Sequence, residues 1–298
     1  MTSKNFNINS YSAHIKHLER MNAEGPETAL KRLYEKDSID HWRHERMYEL
    51  LRPFIDSPEQ WLTVGDGIGT DANWLIKQKM SVMATDISDD ILKESYKRNF
   101  ITGYKKENAE NLSFMENSFS YVLCKESLHH FPRPYIALYE MIRVSSKATI
   151  IIEPIDIVLK MPTIMWIKNF LDNIDVNLIN KIWKNRFSFE EVGNYVYKIS
   201  EREIEKVAMG INLPAIAFKG LHDFYTTKID LSESQDNKKH FNFVKSKIKF
   251  RNLLSKIGII PYQLYCSVIF KELPSDIVKQ KLKSSGFKYI ELPKNPYL

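Results

Sequence analysis

Three glycines at alternate positions are the strongest chemical signal in this chain. Gly65, Gly67 and Gly69 directly follow a short apolar run and directly precede a helix-like pattern. Glycine permits the positive backbone dihedral angles of a tight turn and lets a ligand approach the main chain closely. A second apolar run ends in Asp86, and an acid at the end of the second strand of such a unit binds a ribose diol. The pattern therefore predicts a nucleotide-binding turn.

The spacing of the glycines narrows the type of nucleotide. The chain reads G-x-G-x-G, whereas the fingerprint for the pyrophosphate of a dinucleotide is G-x-G-x-x-G. This difference argues against NAD. A dehydrogenase is therefore the weakest functional alternative.

Two consecutive histidines and a nearby acid are the candidates for catalysis. Glu126, His129 and His130 follow an apolar run at 119–125. Histidine titrates near neutral pH and can remove a proton from a hydroxyl group. Glu126 also belongs to a group of acids with Glu153 and Asp156, which could in principle bind a divalent ion. Nothing sets a ligand spacing, so we expect acids that bind a polar acceptor and predict no metal site.

Alternating strand and helix patterns must position these residues. They run from residue 61 to residue 154, which favours a parallel sheet with helices on both faces and a ligand at the carboxyl ends of the strands. Two later runs, 215–218 and 264–270, are candidates for a sixth and a seventh strand.

The stretch from Trp61 to Pro154 resembles the class I S-adenosylmethionine-dependent methyltransferases, in particular the type 11 group with small-molecule, quinone and sugar substrates. The matching pieces are the glycine turn, Asp86, NAENLSF at 108–114, LHHF at 128–131 and ALYEMIRV at 137–144. The resemblance implies an α/β, Rossmann-like sheet of seven mostly parallel strands with helices on both faces. The cofactor would be S-adenosylmethionine, and the product S-adenosylhomocysteine.

The resemblance also implies roles for individual residues around this cofactor. The glycines would pass beneath its methionine and ribose, Asp86 would accept hydrogen bonds from both ribose hydroxyls, and Lys125 would line the methionine end. The implied cofactor-binding residues are Gly65, Asp66, Gly67, Gly69, Asp86, Ile87, Asn108, Ala109, Glu110 and Lys125. One departure concerns Thr63, which stands where the family commonly has an acid, while Asp66 lies between the glycines. Members of the family that act on different acceptors share a histidine in the LHHF motif, so at least one of the two histidines is expected to have a structural role.

Two further segments are expected to surround the site. Residues 1–60 are predicted to form a helical N-terminal extension over the cofactor site, with Trp42 and Arg43 at its mouth. The alternative is a solvated helix with one aromatic packed on the sheet. Residues 61–298 would form the methyltransferase domain, with 155–199 inserted as a helical lid rich in aromatic side chains and methionine. A hairpin that buries those aromatics, in its own core or in a homodimer contact, is equally compatible with the pattern.

The composition of the chain limits the kinds of partner that it is expected to bind. The net charge of +6 and two lysine clusters, at 238–251 and 279–283, allow an anionic acceptor, but such clusters are most often solvated helix faces. No nucleic-acid-binding module is recognisable, and no membrane span or secretory signal is predicted. Cys124 and Cys266 fall inside predicted strands, which indicates free thiols and a reducing cytoplasm.

These observations predict a cytoplasmic methyltransferase that acts on a small polar acceptor. Oxygen is the preferred methylated atom, and nitrogen stays open. A sugar, or a sugar-containing metabolite of surface-glycan or natural-product biosynthesis, is suggested by resemblance around WLTVGDG at 61–67 and IIEP at 151–154. An RNA or protein methyltransferase is the first alternative, and it requires the lysine clusters to converge beside residues 125–130. The second is a non-catalytic binding protein on the same fold, against which the glycines and Asp86 argue.

Overall fold

A single eight-stranded sheet forms the centre of the molecule. The computed structural model describes residues 23, 25–175, 177, 188–189, 195–224 and 232–297. The strands are β1 (Gln60–Val64), β2 (Ser81–Asp86), β3 (Tyr104–Lys106), β4 (Phe119–Lys125), β5 (Ser145–Pro154), β6 (Ala215–Leu221), β7 (Leu264–Phe270) and β8 (Lys288–Glu291). The expected α/β class is confirmed. The predicted count of seven strands is one short, because a brief final strand adds to the edge formed by β6.

The strand order places a switch point beside the glycine turn. The order is β3-β2-β1-β4-β5-β7-β6-β8, with the first five strands parallel and β7 antiparallel to both β5 and β6. The chain leaves β1 toward β2 on one side, whereas β4 pairs on the other side. Open α/β sheets bind ligands at such a point, outside the carboxyl ends of the strands.

Nine helices of the described part of the chain cover the sheet. They are α1 (Gly25–Tyr34), α2 (Ile39–Tyr48), α3 (Thr70–Lys77), α4 (Asp90–Lys97), α5 (Pro134–Val144), α6 (Pro162–Asp172), α7 (Glu201–Gly210), α8 (Lys238–Lys256) and α9 (Asp276–Ser284). Short 3-10 helices lie at Glu49–Phe54, Leu128–His130 and Ile157–Lys160. None of the helices in the described ranges is long and apolar enough to cross a membrane.

The two faces of the sheet each bury a separate apolar core. Trp61 and Leu123 belong to one core, whereas their neighbours Leu62 and Val122 belong to the other. Successive side chains of a strand point to opposite faces, so a strand buried on both faces must be apolar throughout. All seven residues of β7 are buried, which agrees with this rule.

The N-terminal helices are held by small cores of their own. Leu30 and Leu33 of α1 pack with Ile91 of α4, and Ile39 of α2 packs with Val244 and Ile248 of α8. Because α1 and α2 are anchored to elements from distant parts of the chain, they have a defined place against the sheet.

The predicted lid begins and ends at the carboxyl edge of the sheet. Ile155 and Ile199 form a parallel bridge, which closes the insertion at its base. Within it, α6 contributes no buried residue, and its Trp166 is 69% exposed and stacks on Phe170. These two rings are therefore not buried in a hairpin core. Trp183 and Phe187, two other aromatics of the predicted lid, lie outside the described residues. The lid role stays a prediction.

Two of the three glycines in the turn after β1 are required by backbone geometry. Gly65 has a φ of +73° and Gly69 a φ of +83°, both in the left-handed region that disfavours other residues. A Cβ at Gly65 would also lie 2.6 Å from the Cβ of Ser127. The absence of a side chain lets the β1 turn touch the loop that follows β4.

This contact predicts that alanine lowers the free energy of unfolding more at Gly65 than at a second glycine with positive φ, Gly258. Gly65→Ala should lower the free energy of unfolding by about 2–5 kcal/mol, because a left-handed alanine and a displaced Ser127 both destabilise the fold. Gly258→Ala is the matched control, since Gly258 has a φ of +78° and nothing within 4 Å of its added Cβ. It should cost only about 1–2 kcal/mol. Urea unfolding curves of the two variants measure the difference, and equal losses would contradict the steric argument.

Candidate active site

A cavity of about 250 Å³ opens at the switch point between β1 and β4. This volume greatly exceeds the share of roughly 30 Å³ that one water molecule occupies, so the cavity can hold an organic ligand. The nominated residues that line it are Gly65, Asp66, Gly67, Asp86, Ile87, Asn108, Ala109, Glu110, Lys125, Glu126 and His130. Gly69, Trp42, Arg43 and His129 are not among its lining residues. The fold thus gathers most of the sequence candidates around one volume.

Asp86 lies at the carboxyl end of β2 and faces the cavity. Its Oδ1 accepts a hydrogen bond from the N–H of Ser88, at 3.1 Å. Burial raises the pKa of Asp86 to about 6, although backbone N–H groups at Ser88, Ile87 and Gly67 favour the ionised form. A ligand that donates hydrogen bonds to this carboxylate would compensate the loss of hydration.

Asp66 is engaged by the protein itself. Its Oδ2 accepts hydrogen bonds from the N–H of Ala72 and the hydroxyl of Thr63, both at 2.9 Å, and its Oδ1 accepts one from the N–H of Asp71. The carboxylate therefore caps the start of α3, a favourable position for negative charge. Thr63, which replaces the acid common in the family, is a hydrogen-bond donor to the displaced acid. Burial and the adjacent Asp71 raise the pKa of Asp66 to about 8.

Lys125 ends β4 with a buried ammonium group. Its Nζ lies 3.3 Å from Oδ1 of Asp71, an oxygen that also accepts the hydroxyl of Tyr48 at 2.7 Å. Burial disfavours the charged form, but the carboxylates of Asp71 and Glu126 outweigh it and raise the pKa of Lys125. The cation is thus fixed at the cavity wall, where it connects β4 to α3 and to the N-terminal helices.

The N-terminal extension reaches the cavity through Arg32 and His44, which the sequence analysis did not nominate. The Nδ1 atom of His44 lies 3.3 Å from Nζ of Lys125. Burial, reinforced by the charge of Lys125, lowers the pKa of His44 well below its ordinary value. His44 is therefore a neutral imidazole at neutral pH. Arg32 pairs with Asp40, with Nε 3.0 Å from Oδ2.

Trp42 and Arg43 lie on other faces of the same helix, away from the predicted cofactor mouth. The ring of Trp42 packs edge-on against Phe241 of α8, with centroids 5.1 Å apart. The guanidinium of Arg43 binds Asp223, with Nε 2.7 Å from Oδ1. Consecutive helical residues are rotated by about 100°, so only one of three neighbours can face the cavity. The extension was predicted to cover the site through these two residues, and the tertiary contacts assign that place to His44.

The loop after β3 forms the opposite wall of the cavity. The Oδ1 atom of Asn108 accepts the N–H of Glu110 at 2.9 Å, which closes a local turn around Ala109. Glu110 is held in turn by Arg133, whose N–H and Nε donate to its two oxygens at 2.9 and 2.6 Å. These bonds define the shape of this wall.

The two adjacent histidines have different surroundings. Nδ1 of His129 lies 2.5 Å from Oε2 of the fully buried Glu153. The other oxygen of Glu153 accepts the N–H groups of Ser127 and Leu128, at 2.9 and 2.8 Å. This arrangement ties the short helix Leu128–His130 to β5. His130, whose ring centroid lies 3.9 Å from that of His129, is the one that lines the cavity.

Glu126 joins the same end of the cavity with an unusual backbone. It has a φ of +53°, in a region that residues other than glycine seldom occupy. Its N–H is bonded to the carbonyl of Ile152, and its carboxylate lies 3.6 Å from Nζ of Lys125. Strained backbone of this kind clusters at functional sites.

Comparison with known proteins decides the family. Residues 62–152 match the family described as a methyltransferase domain. The chain carries a class I S-adenosylmethionine-dependent methyltransferase domain. The match ends within β5, so it spans the cavity walls contributed by β1, β2 and β4 but neither the N-terminal helices nor the insertion. S-adenosylmethionine is accordingly the cofactor of this methyltransferase.

Solved structures of methyltransferases are similar at low identity. One from Archaeoglobus fulgidus is 12% identical with a TM-score of 0.49, over 80% of this chain and 98% of that one. Another from Methanosarcina mazei is 14% identical with a TM-score of 0.48, over 76% of this chain and 99% of that one. No curated protein matches the chain. None of these comparisons identifies the acceptor.

The raised pKa of Asp86 predicts how cofactor affinity depends on pH. Ribose hydroxyls donate hydrogen bonds, so they favour the ionised carboxylate, which is lost as the pH falls through about 6. The affinity for S-adenosylhomocysteine should therefore fall by about tenfold between pH 7 and pH 5. Asp86→Asn should bind more weakly at pH 7 and show a flatter pH dependence. Calorimetric titration of both proteins measures this, and equal pH profiles would contradict the assignment.

Proposed function

We propose that this methyltransferase transfers its methyl group to the hydroxyl oxygen of a small polar acceptor, a sugar or sugar-containing metabolite of surface-glycan or natural-product biosynthesis. One observation carries the proposal. A single cavity joins the glycine turn and Asp86 to Glu126 and His130 at the end of β4. Groups suited to cofactor recognition and to proton removal therefore line one cavity. Methyl transfer to nitrogen is the alternative chemistry of the same site.

The cofactor half of the cavity is formed by main chain and carboxylate groups. The bare backbone at Gly65 and Gly67 allows close approach of a ligand, and Asp86 can accept hydrogen bonds from a ribose diol. Ile87, Asn108 and Ala109 line the cavity farther along, where an adenine would lie. S-adenosylmethionine supplies an electrophilic methyl group when it is bound. Lys125 and its neighbours line the methionine end.

The acceptor half needs a base, because a hydroxyl must lose its proton as the oxygen is methylated. A base must first be within reach of the reacting atom. Of the two histidines in the LHHF motif, only His130 lines the cavity, so we assign it as the base. Glu126, on the same loop, is placed to bind the acceptor through a hydrogen bond.

His129 is assigned a positioning role. Its bond to Glu153, together with the two backbone bonds of the same carboxylate, holds the helix that carries His130. His129 can thus affect turnover through the placement of its neighbour, without contact with the reacting atoms. This division of roles accounts for two adjacent histidines with different surroundings.

His44 is less suited to act as the base, although it lines the same cavity. A base needs a substantial affinity for a proton, and burial beside the cationic Lys125 lowers the pKa of His44 well below its ordinary value. A neutral imidazole can instead form a hydrogen bond with the acceptor or with Lys125. We therefore assign His44 to binding.

The lysine cluster of α9 does not favour a large anionic acceptor. In α9, Lys281 forms an ion pair with Asp56, which precedes β1 and so lies at the amino edge of the sheet, opposite the cavity. The cluster at 279–283 is therefore remote from residues 125–130. An RNA or protein methyltransferase required both clusters to converge there, and this cluster does not, so we keep a small acceptor as the proposal.

A methyl-transfer screen tests the acceptor class. The protein is incubated with tritiated S-adenosylmethionine and, in separate reactions, with nucleotide sugars, acidic sugars, transfer RNA or a peptide mixture. We expect label in a sugar set, alkali stability of the label would exclude a methyl ester, and mass spectrometry of the product would distinguish an O-methyl from an N-methyl group. Label in RNA or peptide alone would overturn the proposal. S-adenosylhomocysteine binding without any methyl transfer would favour the non-catalytic alternative.

The assignment of the base predicts unequal effects of two alanine variants. With the acceptor that the screen identifies, His130→Ala should lower kcat by about 10²- to 10⁴-fold and leave the Kd of S-adenosylhomocysteine within about twofold. His129→Ala should lower the free energy of unfolding by about 1–3 kcal/mol, because Glu153 loses a buried partner. His240→Ala, at a surface histidine paired with Glu233, is the control. Wild-type turnover by His130→Ala would refute its role.

A further inference from the structure

Helix α8 concentrates the positive charge of the chain. Its 19 residues contain seven lysines and arginines and no aspartate or glutamate. The whole chain has a net charge of only +6, so the remainder is close to neutral. The basic residues are Lys238, Lys239, Lys245, Lys247, Lys249, Arg251 and Lys256. An uninterrupted positive helix of this length creates a strong local attraction for anions.

One face of α8 is fixed against the protein. Val244 and Ile248 are buried in the core that they share with Ile39 of α2. One residue before the end of the helix, the hydroxyl of Ser255 lies 2.6 Å from Nε2 of the buried His222. These contacts span three turns and determine which side of the helix faces outward.

The outward face of α8 carries a row of large, exposed apolar side chains. Phe250 is 59% exposed, Leu253 56% and Ile257, which follows the last helical residue, 61%, while Phe243 is 42% exposed. The spacings of seven, three and four residues place these side chains on one stripe of a helix. The stripe is apolar from Phe250 to Ile257, whereas Lys239 and Ser246 lie on it nearer the start of the helix.

Lysines border this apolar stripe on both sides. At about 100° per residue, Lys249 and Lys256 lie along one border and Lys247 along the other. All three are exposed, and Nζ of Lys247 lies 5.5 Å from the ring centroid of Phe243. Long lysine stems can lie along apolar surface while the ammonium groups extend to a polar boundary. Apolar residues flanked by lysines match the interface of a bilayer, where acyl chains meet anionic head groups.

We propose that α8 is a peripheral membrane-binding helix that places its stripe of Phe243, Phe250, Leu253 and Ile257 at the surface of an anionic lipid bilayer. The charge of α8 complements anionic head groups, and the outermost side chains enter the acyl boundary. A second copy of the chain would bring two strongly positive helices together, which repel. A nucleic acid would place phosphates against the apolar row rather than against the lysines.

Helix α8 lies close to the edge of the sheet that carries the cavity. The helix leads into β7, whose first residue, Leu264, pairs with Pro154 at the carboxyl end of β5. The cavity lies at the same edge of the sheet. Trp42 contacts Phe241 of α8 and belongs to α2, the helix that carries His44. These contacts place α8 beside the carboxyl edge of the sheet, the edge at which the cavity opens.

Vesicle co-sedimentation tests the proposal with the full chain. Vesicles of phosphatidylcholine alone are compared with vesicles of phosphatidylcholine and phosphatidylglycerol, at low and at physiological salt. Two double variants alter the surface of α8. Phe250→Ser with Leu253→Ser removes apolar side chains of the stripe, and Lys249→Glu with Lys256→Glu reverses the charge along one border. Lys283→Glu with Lys288→Glu makes the same charge change at exposed positions outside α8. Melting temperature and S-adenosylhomocysteine binding, measured for all four proteins, verify that the fold is intact.

We expect wild-type protein to sediment with the anionic vesicles and not with the neutral ones. Each α8 variant should bind at least about tenfold more weakly, because each loses one of the two contributions to interfacial binding. The control variant should stay within about threefold of wild type. Absence of binding to anionic vesicles, or an equal loss in the control, would overturn the proposal.

Two further outcomes would assign the surface to another occupant and so would also overturn it. A wild-type dimer in light scattering that Phe250→Ser with Leu253→Ser converts to a monomer would indicate a second copy. Binding of single-stranded RNA that depends on Lys249 and Lys256 but not on Phe250 and Leu253 would indicate a nucleic acid.

Discussion

The close approach of Gly65 to Ser127 is the contact on which the rest of the site depends. The hydroxyl of Ser127 donates to the carbonyl of Gly65 at 2.6 Å, and its N–H donates to the buried Glu153. One residue therefore connects the turn after β1 to the loop after β4 and to β5. Because no side chain stands at Gly65, the turn after β1 and the loop after β4 lie close together and line one cavity. A larger residue there would separate them.

Buried charge is the second constraint, and it is balanced locally. Asp71 pairs with Lys125, and Glu153 binds His129. An ionised group taken out of water is stable only when it has partners of this kind. The same pairs hold the strand ends and the N-terminal helices in register. Asp86 lines the cavity and is compensated by backbone N–H groups alone, so its carboxylate is suited to a ligand that donates hydrogen bonds.

Much of the fold was predictable because its signals are local. The apolar runs that predicted β1, β2, β4, β5 and β7 lie within the observed strands or differ by a few residues at their ends. Strands buried on both faces are apolar throughout, so they stand out from the sequence. The eighth strand escaped prediction, since Lys288–Glu291 is short and half polar and is stabilised by pairing with β6 rather than by its own composition.

The sequence by itself determined the family and the cofactor, because the glycine turn, Asp86 and their spacing are properties of a contiguous stretch. Only the tertiary structure decided which side chains meet. The rotation of α2 about its own axis directs His44 toward the cavity and Trp42 toward α8. The contact with Glu153 distinguishes His129 from His130. Side-chain direction depends on partners more than a hundred residues away, such as Asp223 for Arg43 and Phe241 for Trp42. No local sequence pattern identifies those partners. The sequence could therefore indicate many of the residues that line the cavity, but not the direction of their side chains.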